Sequence, residues 1–274
     1  MRILIIGCGY VGLPLGQALA GLGHEVHGIR RTKFSAEGII TQALDITQNG
    51  ALDGLPKNYD WVINTVSSSR GDLEAHHSIF VNGTRHLLEW LGESLTRLLF
   101  TSSTSVYGQL DGSWVDEHSA TNPSGGTGGH LREAEETLLA APHSSTVLRV
   151  AGIYGPERGF LFQQFVKGEA VLSDGGNRWL NMIHRDDVIS AILTAMNLAP
   201  GIYNVADDEP VTQKAFLEWL ADRLGKPMPP EGETPPRKRA ATSKRVRNAK
   251  LKAAGWALRF PTFHEGYEAL IREE

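Results

Sequence analysis

Four aliphatic residues, Ile3-Leu4-Ile5-Ile6, run directly into Gly7-Cys8-Gly9-Tyr10-Val11-Gly12, and this junction restricts the fold more than any other feature of the chain. A short run of aliphatic residues ending on glycine suits a strand buried on both faces, as in a parallel sheet covered by helices. From Val11 to Leu22 apolar residues recur at helical spacing, and Gly23 stops the run. A glycine turn between such a strand and such a helix has a physical purpose. Gly7 permits the tight turn, Gly9 lets backbone approach a pyrophosphate, and Gly12 allows close helix–strand packing. The free amides around Tyr10 and Val11, at the positive end of the helix dipole, would then face phosphate oxygens.

The rhythm continues through the first half. Glu25–Ile29, Trp61–Val66, Leu98–Thr101, Thr146–Val150 and Gly201–Val205 read as strands, and Phe80–Leu91 and Leu131–Leu139 read as helices between them. Alternation of this kind implies right-handed crossovers and a parallel sheet. The expected fold is α/β, a Rossmann-type doubly wound sheet over residues 1–155, with a smaller, mixed C-terminal lobe over 156–274. Some segments of that lobe should return to the sheet. Thr212–Leu224 reads as an amphipathic helix. Pro227–Pro236 holds five prolines in ten residues and reads as a connector, followed by seven basic residues between Arg237 and Lys250.

Composition narrows the function. A net charge of -4 with 21% charged residues gives no global basic field for nucleic acid. No leader peptide and no apolar run long enough to span a membrane is recognised. One cysteine, Cys8, forbids an internal disulfide or a thiolate metal cluster. No metal site is expected either, because His76 and His77 are adjacent and on a helix would point apart. A cytoplasmic protein acting on a small molecule, as monomer or homodimer, is the expectation.

Cofactor choice in such a fold is set at the end of the second strand. An acid there binds a ribose 2′-hydroxyl, whereas arginine accommodates a 2′-phosphate. The chain has Ile29-Arg30-Arg31-Thr32 and no acid before Glu37. NADP is therefore expected, with NAD as second choice.

Several further strings, in order, resemble the extended short-chain dehydrogenase/reductase family, which contains nucleotide-sugar epimerases and dehydratases. They are Asp45-Ile46, Asn64-Thr65-Val66, Asn82-Gly83-Thr84, Ser102 to Gly108 (SSTSVYG), Arg149, Ile153 to Pro156 (IYGP), Ile183 to Val188 (IHRDDV) and Tyr203-Asn204-Val205. The resemblance implies an adenine contact at Asp45 and Ile46, a ribose and phosphate wall at Thr65 and Val66, and a catalytic serine at Ser103. It also implies that His184 and Asp187 are mainly structural.

The resemblance breaks at the acid–base pair. Such enzymes use a tyrosine and a lysine four residues later, the ammonium lowering the phenol's pKa. None of the six tyrosines here has lysine four residues on, and no lysine lies between Lys57 and Lys167. Ungapped counting from Ser103 puts Gly128 at the tyrosine position and Arg132 at the lysine position. Gly125, Gly126, Gly128 and Gly129 are expected to keep this segment from starting a helix. The chain thus resembles an atypical branch of the family.

Two readings follow. In one, an NADP-dependent oxidoreductase uses Ser103 to polarise a substrate oxygen, with Tyr107 or His130 as proton donor and Arg132 as fixed cation. In the other, the chain is a non-catalytic NADP-binding sensor or regulatory protein. Substrate would lie at Ser67, Ser68, Arg70, Tyr154, Arg178 and Asn181. The family's phosphate-holding arginine, four residues before the histidine of the HRDD string, is replaced by Leu180.

Overall fold

In the computed structural model, residues 1–68, 72–123, 126–232 and 242–273 are described. The first strand, β1 (Arg2–Ile6), is followed by helix α1 (Gly12–Gly21) and strands β2 (Glu25–Arg30), β3 (Ile39–Ala43), β4 (Trp61–Asn64) and β5 (Arg97–Ser103). Two more strands, Ser145–Val150 and Gly201–Val205, complete one seven-stranded sheet. Its order is β3-β2-β1-β4-β5, then Ser145–Val150, then Gly201–Val205, with every pairing parallel. Ile3, Leu4 and Ile5 are fully buried, as a strand covered on both faces requires.

Strand order reverses beside β1, whose neighbours are β2 and β4. A crevice opens outside the carboxyl ends of the strands at such a switch point. Asn64 helps to end β4 there, its Oδ1 accepting from the Val66 amide at 3.2 Å. The chain then turns outward and lines the crevice.

Strand β3 is not foreseen in the sequence. It is an edge strand paired only with β2, and of its five residues only Ile39 is buried. Half-exposed edges carry little hydrophobic signal. The helix expected from Leu131 begins earlier, spanning Gly126–Ala140. Packing overrides propensity here. A Cβ on Gly128 would stand 2.6 Å from the Ser105 carbonyl oxygen and 2.8 Å from Pro123 Cβ, so glycine lets this first turn lie against the loop after β5. The helix expected over Phe80–Leu91 is built from three pieces. A turn at Leu73–His77, capped by Asp72 Oδ1, leads into a π-helical turn at Ser78–Asn82 and then into Gly83–Leu91.

The C-terminal part has its own apolar cluster, including Phe162, Phe165, Leu217, Leu220, Phe263 and Tyr267. It joins the sheet domain through Tyr154, whose ring stacks on Tyr267 at 4.3 Å. Gln213–Leu224 forms the expected helix, with Thr212 accepting from the Ala215 amide as its cap. Among the described residues no helix is long and apolar enough to cross a membrane.

Candidate functional site

A cleft of about 350 Å³ opens at the switch point. Its floor is the glycine turn, and the three glycines there differ in what requires them. Gly7 has φ +97°, and a Cβ would lie 2.7 Å from the Val66 nitrogen. A Cβ on Gly12 would lie 2.4 Å from the Gly7 oxygen and 2.5 Å from Thr65 Oγ1. The fold itself demands both. Gly9 has no such reason: its φ is ordinary, and a Cβ would meet nothing nearer than the Gly7 oxygen at 3.9 Å. Gly9 lines the open cleft.

Helix α1 starts beside it. Val11 at its N-cap offers no side-chain hydrogen bond, and no acid sits in the first turn. The Tyr10 and Val11 amides find no backbone acceptor among the described residues. This end is therefore left positive and unpaired, which suits an anion. Thr65 Oγ1 braces the turn by donating to the Gly7 oxygen at 3.0 Å.

Cys8, beneath the turn, is fully buried, and burial pushes its thiol up to about 12. Iodoacetamide at pH 8 is therefore expected to leave Cys8 unmodified in native protein and to alkylate it in 6 M guanidinium. Stoichiometric native labelling, followed by mass spectrometry, would contradict this packing.

At the outer end stand Arg30, Arg31, Thr32, Asp45 and Ile46. The Arg30 guanidinium is held by the Thr32 and Lys33 carbonyls at 3.2 Å each, with its Cζ 4.5 Å from the Phe34 ring centre. Arg31 is exposed. Asp45 Oδ1 accepts from the amide and hydroxyl of Thr47. Val66, Ser67 and Ser68 form the adjoining wall. Arg70 lies outside the described residues.

The inner end is lined by Ser102, Ser103, Thr127, Leu131 and His76. Ser103 Oγ accepts from the Ser105 amide at 3.2 Å. The hydroxyls of Ser102 and Thr127 are buried without a hydrogen-bond partner among the described residues. Such hydroxyls, on residues that line the cleft, would be satisfied by a polar ligand that reaches them. Thr127 and His76 are not expected from sequence, the first because its segment reads as a loop. Arg158, also unforeseen, lies 4.8 Å over the Tyr10 ring and lines the cleft, and Tyr10 donates to the Pro156 oxygen at 2.9 Å.

Other expected residues lie elsewhere. Tyr107 is fully buried off the cleft wall. Its hydroxyl donates to Asn204 Oδ1 at 2.8 Å and receives an Arg149 N–H at 3.0 Å. Burial raises its phenol despite the Arg149 charge. Tyr107 thus ties strands together and does not line the cleft. Arg132 points to the surface, its Nε 2.7 Å from Glu136 Oε1, and does not line the cleft. Tyr154 is buried on Tyr267 behind the cleft, where burial raises its phenol. Asn181 joins two segments, donating to the Lys244 oxygen and accepting from the Val246 amide. Arg178 is outside the cleft lining, and its carbonyl accepts from the Gln213 amide.

His130 stops just short of the wall, meeting His76 Nδ1 to Nδ1 at 3.3 Å. Burial, then the His77 charge, lowers its imidazole, while Glu133 opposes. Both neighbouring histidines reach it, His77 with ring centres 5.1 Å apart, so they do not point away from a common partner. No group of three histidine, cysteine or acidic residues among the described residues is placed to hold a metal. His184 and Asp187 occupy structural positions. His184 is pushed down to about 4 by burial, and Asp187 accepts the Arg259 and Phe260 amides.

A family model for the NAD-dependent epimerase/dehydratase family matches residues 3–206. The chain belongs to that family. It is 29% identical to protein YeeZ of Escherichia coli K12 over 241 residues, 82% of this chain and 84% of that one. A structure from Methylobacillus flagellatus, described as an NAD-dependent epimerase/dehydratase, is 34% identical with a TM-score of 0.82. That match covers 99% of this chain and 98% of the other. UDP-glucuronic acid 4-epimerase from Bacillus cereus, solved with UDP-glucuronic acid and NAD, shares the fold at 20% identity and a TM-score of 0.82, covering 98% and 97%.

Proposed function

We propose that the chain is an NADP(H)-dependent oxidoreductase of epimerase/dehydratase type acting on a small carbonyl, hydroxyl or sugar-like substrate. The observation that carries this reading is Gly9, a glycine the fold does not need, at the one place where a pyrophosphate would touch backbone. The Tyr10 and Val11 amides would hold the phosphates, Thr65 and Val66 the ribose side, and Asp45 and Ile46 the adenine. Arg31 and Thr32, next to an Arg30 already fixed by carbonyls, favour a 2′-phosphate and thus NADP over NAD.

When bound, the nicotinamide supplies or takes up hydride at the inner end. Ser103 would hold the substrate oxygen there, with Thr127 and Ser102 hydroxyls to satisfy neighbouring polar groups. Ser67 and Ser68 border the substrate side. A single buried cysteine fits a reducing, cytoplasmic setting.

NADPH oxidation across a panel of small aldehydes, ketones and sugar carbonyls tests this. Ser103→Ala should lower turnover by at least roughly 100-fold, as for loss of one hydrogen-bond donor to a developing oxyanion, and leave NADPH affinity within about twofold. Undiminished turnover in that variant would remove Ser103 from the chemistry. The second reading, an NADP-binding sensor, is favoured by Gly128 and by the surface-facing Arg132. Tight NADPH binding with no oxidation across the panel would select it.

A further inference from the structure

We propose that His76 is the proton-transfer group at the inner end of the cleft and that His130 exchanges a proton with it; this rests on the hydride-transfer reading above. Three observations place the pair. His76 is 5% exposed and is the one imidazole on the cleft wall among the described residues. Its Nδ1 lies 3.3 Å from His130 Nδ1, and its ring is packed 4.4 Å from Phe80, which also lines the cleft. His130 is only half-buried, and half-buried His77 stands edge-on to it at 5.1 Å.

The local fold explains the meeting. His76 and His77 end the turn before the π-helical segment Ser78–Asn82, and such segments re-aim neighbouring side chains and recur at functional sites. His130 sits in the second turn of the helix whose glycine start presses on the loop after β5. The phenol and ammonium that would serve acid–base chemistry are replaced here by Gly128 and an outward-facing Arg132. His130 lies two residues from each of them on the same helix.

In the reducing direction the substrate carbon gains hydride from the reduced nicotinamide and its oxygen gains a proton from a His76 ring nitrogen. In the same step His76 Nδ1 takes a proton from protonated His130; once the alcohol leaves, solvent returns a proton to the emptied ring nitrogen and the Nδ1 proton moves back to His130. The sum is one carbonyl, one hydride and one solvent proton giving one alcohol. His76 is the catalytic residue and His130 a positioning and relay residue. The charged groups facing His130 are His77 from the adjoining turn and Glu133 from its own helix, the latter also bonded to Arg85.

The test uses the full chain with 15N-labelled histidine. In wild-type protein His76 should titrate in two steps, since two rings sharing one hydrogen bond titrate as a coupled pair. His130→Gln should leave a single step. Saturating NADPH should shift the His76 signals and leave those of half-buried His24, outside the cleft lining, in place. In the carbonyl assay His130→Gln should lower kcat about tenfold with NADPH Kd within twofold, and added imidazole should restore it. His76→Gln should abolish turnover with Tm nearly unchanged. NADPH that binds without moving His76, a single-step titration identical in wild type and His130→Gln, or turnover insensitive to both substitutions would each overturn the proposal. Failure of NADPH to bind at all would instead overturn the reading on which it rests.

Discussion

Gly9→Val is expected to weaken NADPH binding by about 100-fold or more, roughly 2.7 kcal/mol, while Tm stays within a few degrees of wild type. The asymmetry comes from what surrounds each glycine. A side chain at position 9 meets only the Gly7 oxygen, at 3.9 Å, and extends into the cleft. The folded chain has no objection to it, whereas a pyrophosphate lying on the turn would be displaced. Gly12→Val is the control with the opposite signature. Its Cβ would drive into the Gly7 oxygen and Thr65 Oγ1, so it should lower Tm sharply. Isothermal titration calorimetry and thermal melts on both variants separate the two effects. Equal loss of stability in both would show that Gly9 serves packing and would leave the cleft without its main argument.

The second large effect is structural. Glu135→Gln should cost about 3–5 kcal/mol and lower Tm by roughly 10 °C. Glu135 and Arg149 are 2% and 4% exposed. Arg149 reaches both carboxylate oxygens, the shortest contact being 2.7 Å, and its remaining fork nitrogen bonds Tyr107. Tyr107 passes the network to Asn204 on the strand Gly201–Val205, and Asn204 to the Arg247 carbonyl. Removing one charge leaves the other buried without its counter-charge. Replacing both with apolar residues, Glu135→Leu with Arg149→Met, should recover much of the loss. A chemical melt of the single variant within 1 kcal/mol of wild type would contradict a buried, unsolvated pair. The helix that carries Glu135 also carries Thr127 and His130, so this pair holds the inner end of the cleft in place.

The outer half of the site was legible in the sequence because its determinants are local. The strand, the glycines and the helix are contiguous, and Arg30 ends β2 with Arg31 directly after it. The inner half depends on contacts far apart in the chain, and there the sequence misleads. Gly128 reads as a helix breaker, yet the close approach to Ser105 and Pro123 makes glycine the residue that lets the helix start. Tyr107 belongs to a serine–tyrosine string that resembles a catalytic one, but only burial reveals that Arg149 and Asn204 occupy its hydroxyl. His76 and His130 are 54 residues apart, and no spacing rule joins them. Strand β3 escaped notice because an exposed edge leaves little hydrophobic pattern.

The ligand proposed for this cleft is a nicotinamide dinucleotide, with the 2′-phosphorylated form preferred. Fluorescence titration of the wild-type protein with NADPH and, separately, NADH tests it directly. Saturable one-to-one binding is expected, with NADPH at least tenfold tighter, a difference of about 1.4 kcal/mol carried by the Arg30-Arg31 corner. Tighter NADH binding would contradict that corner's role, and binding of neither would contradict the claim itself.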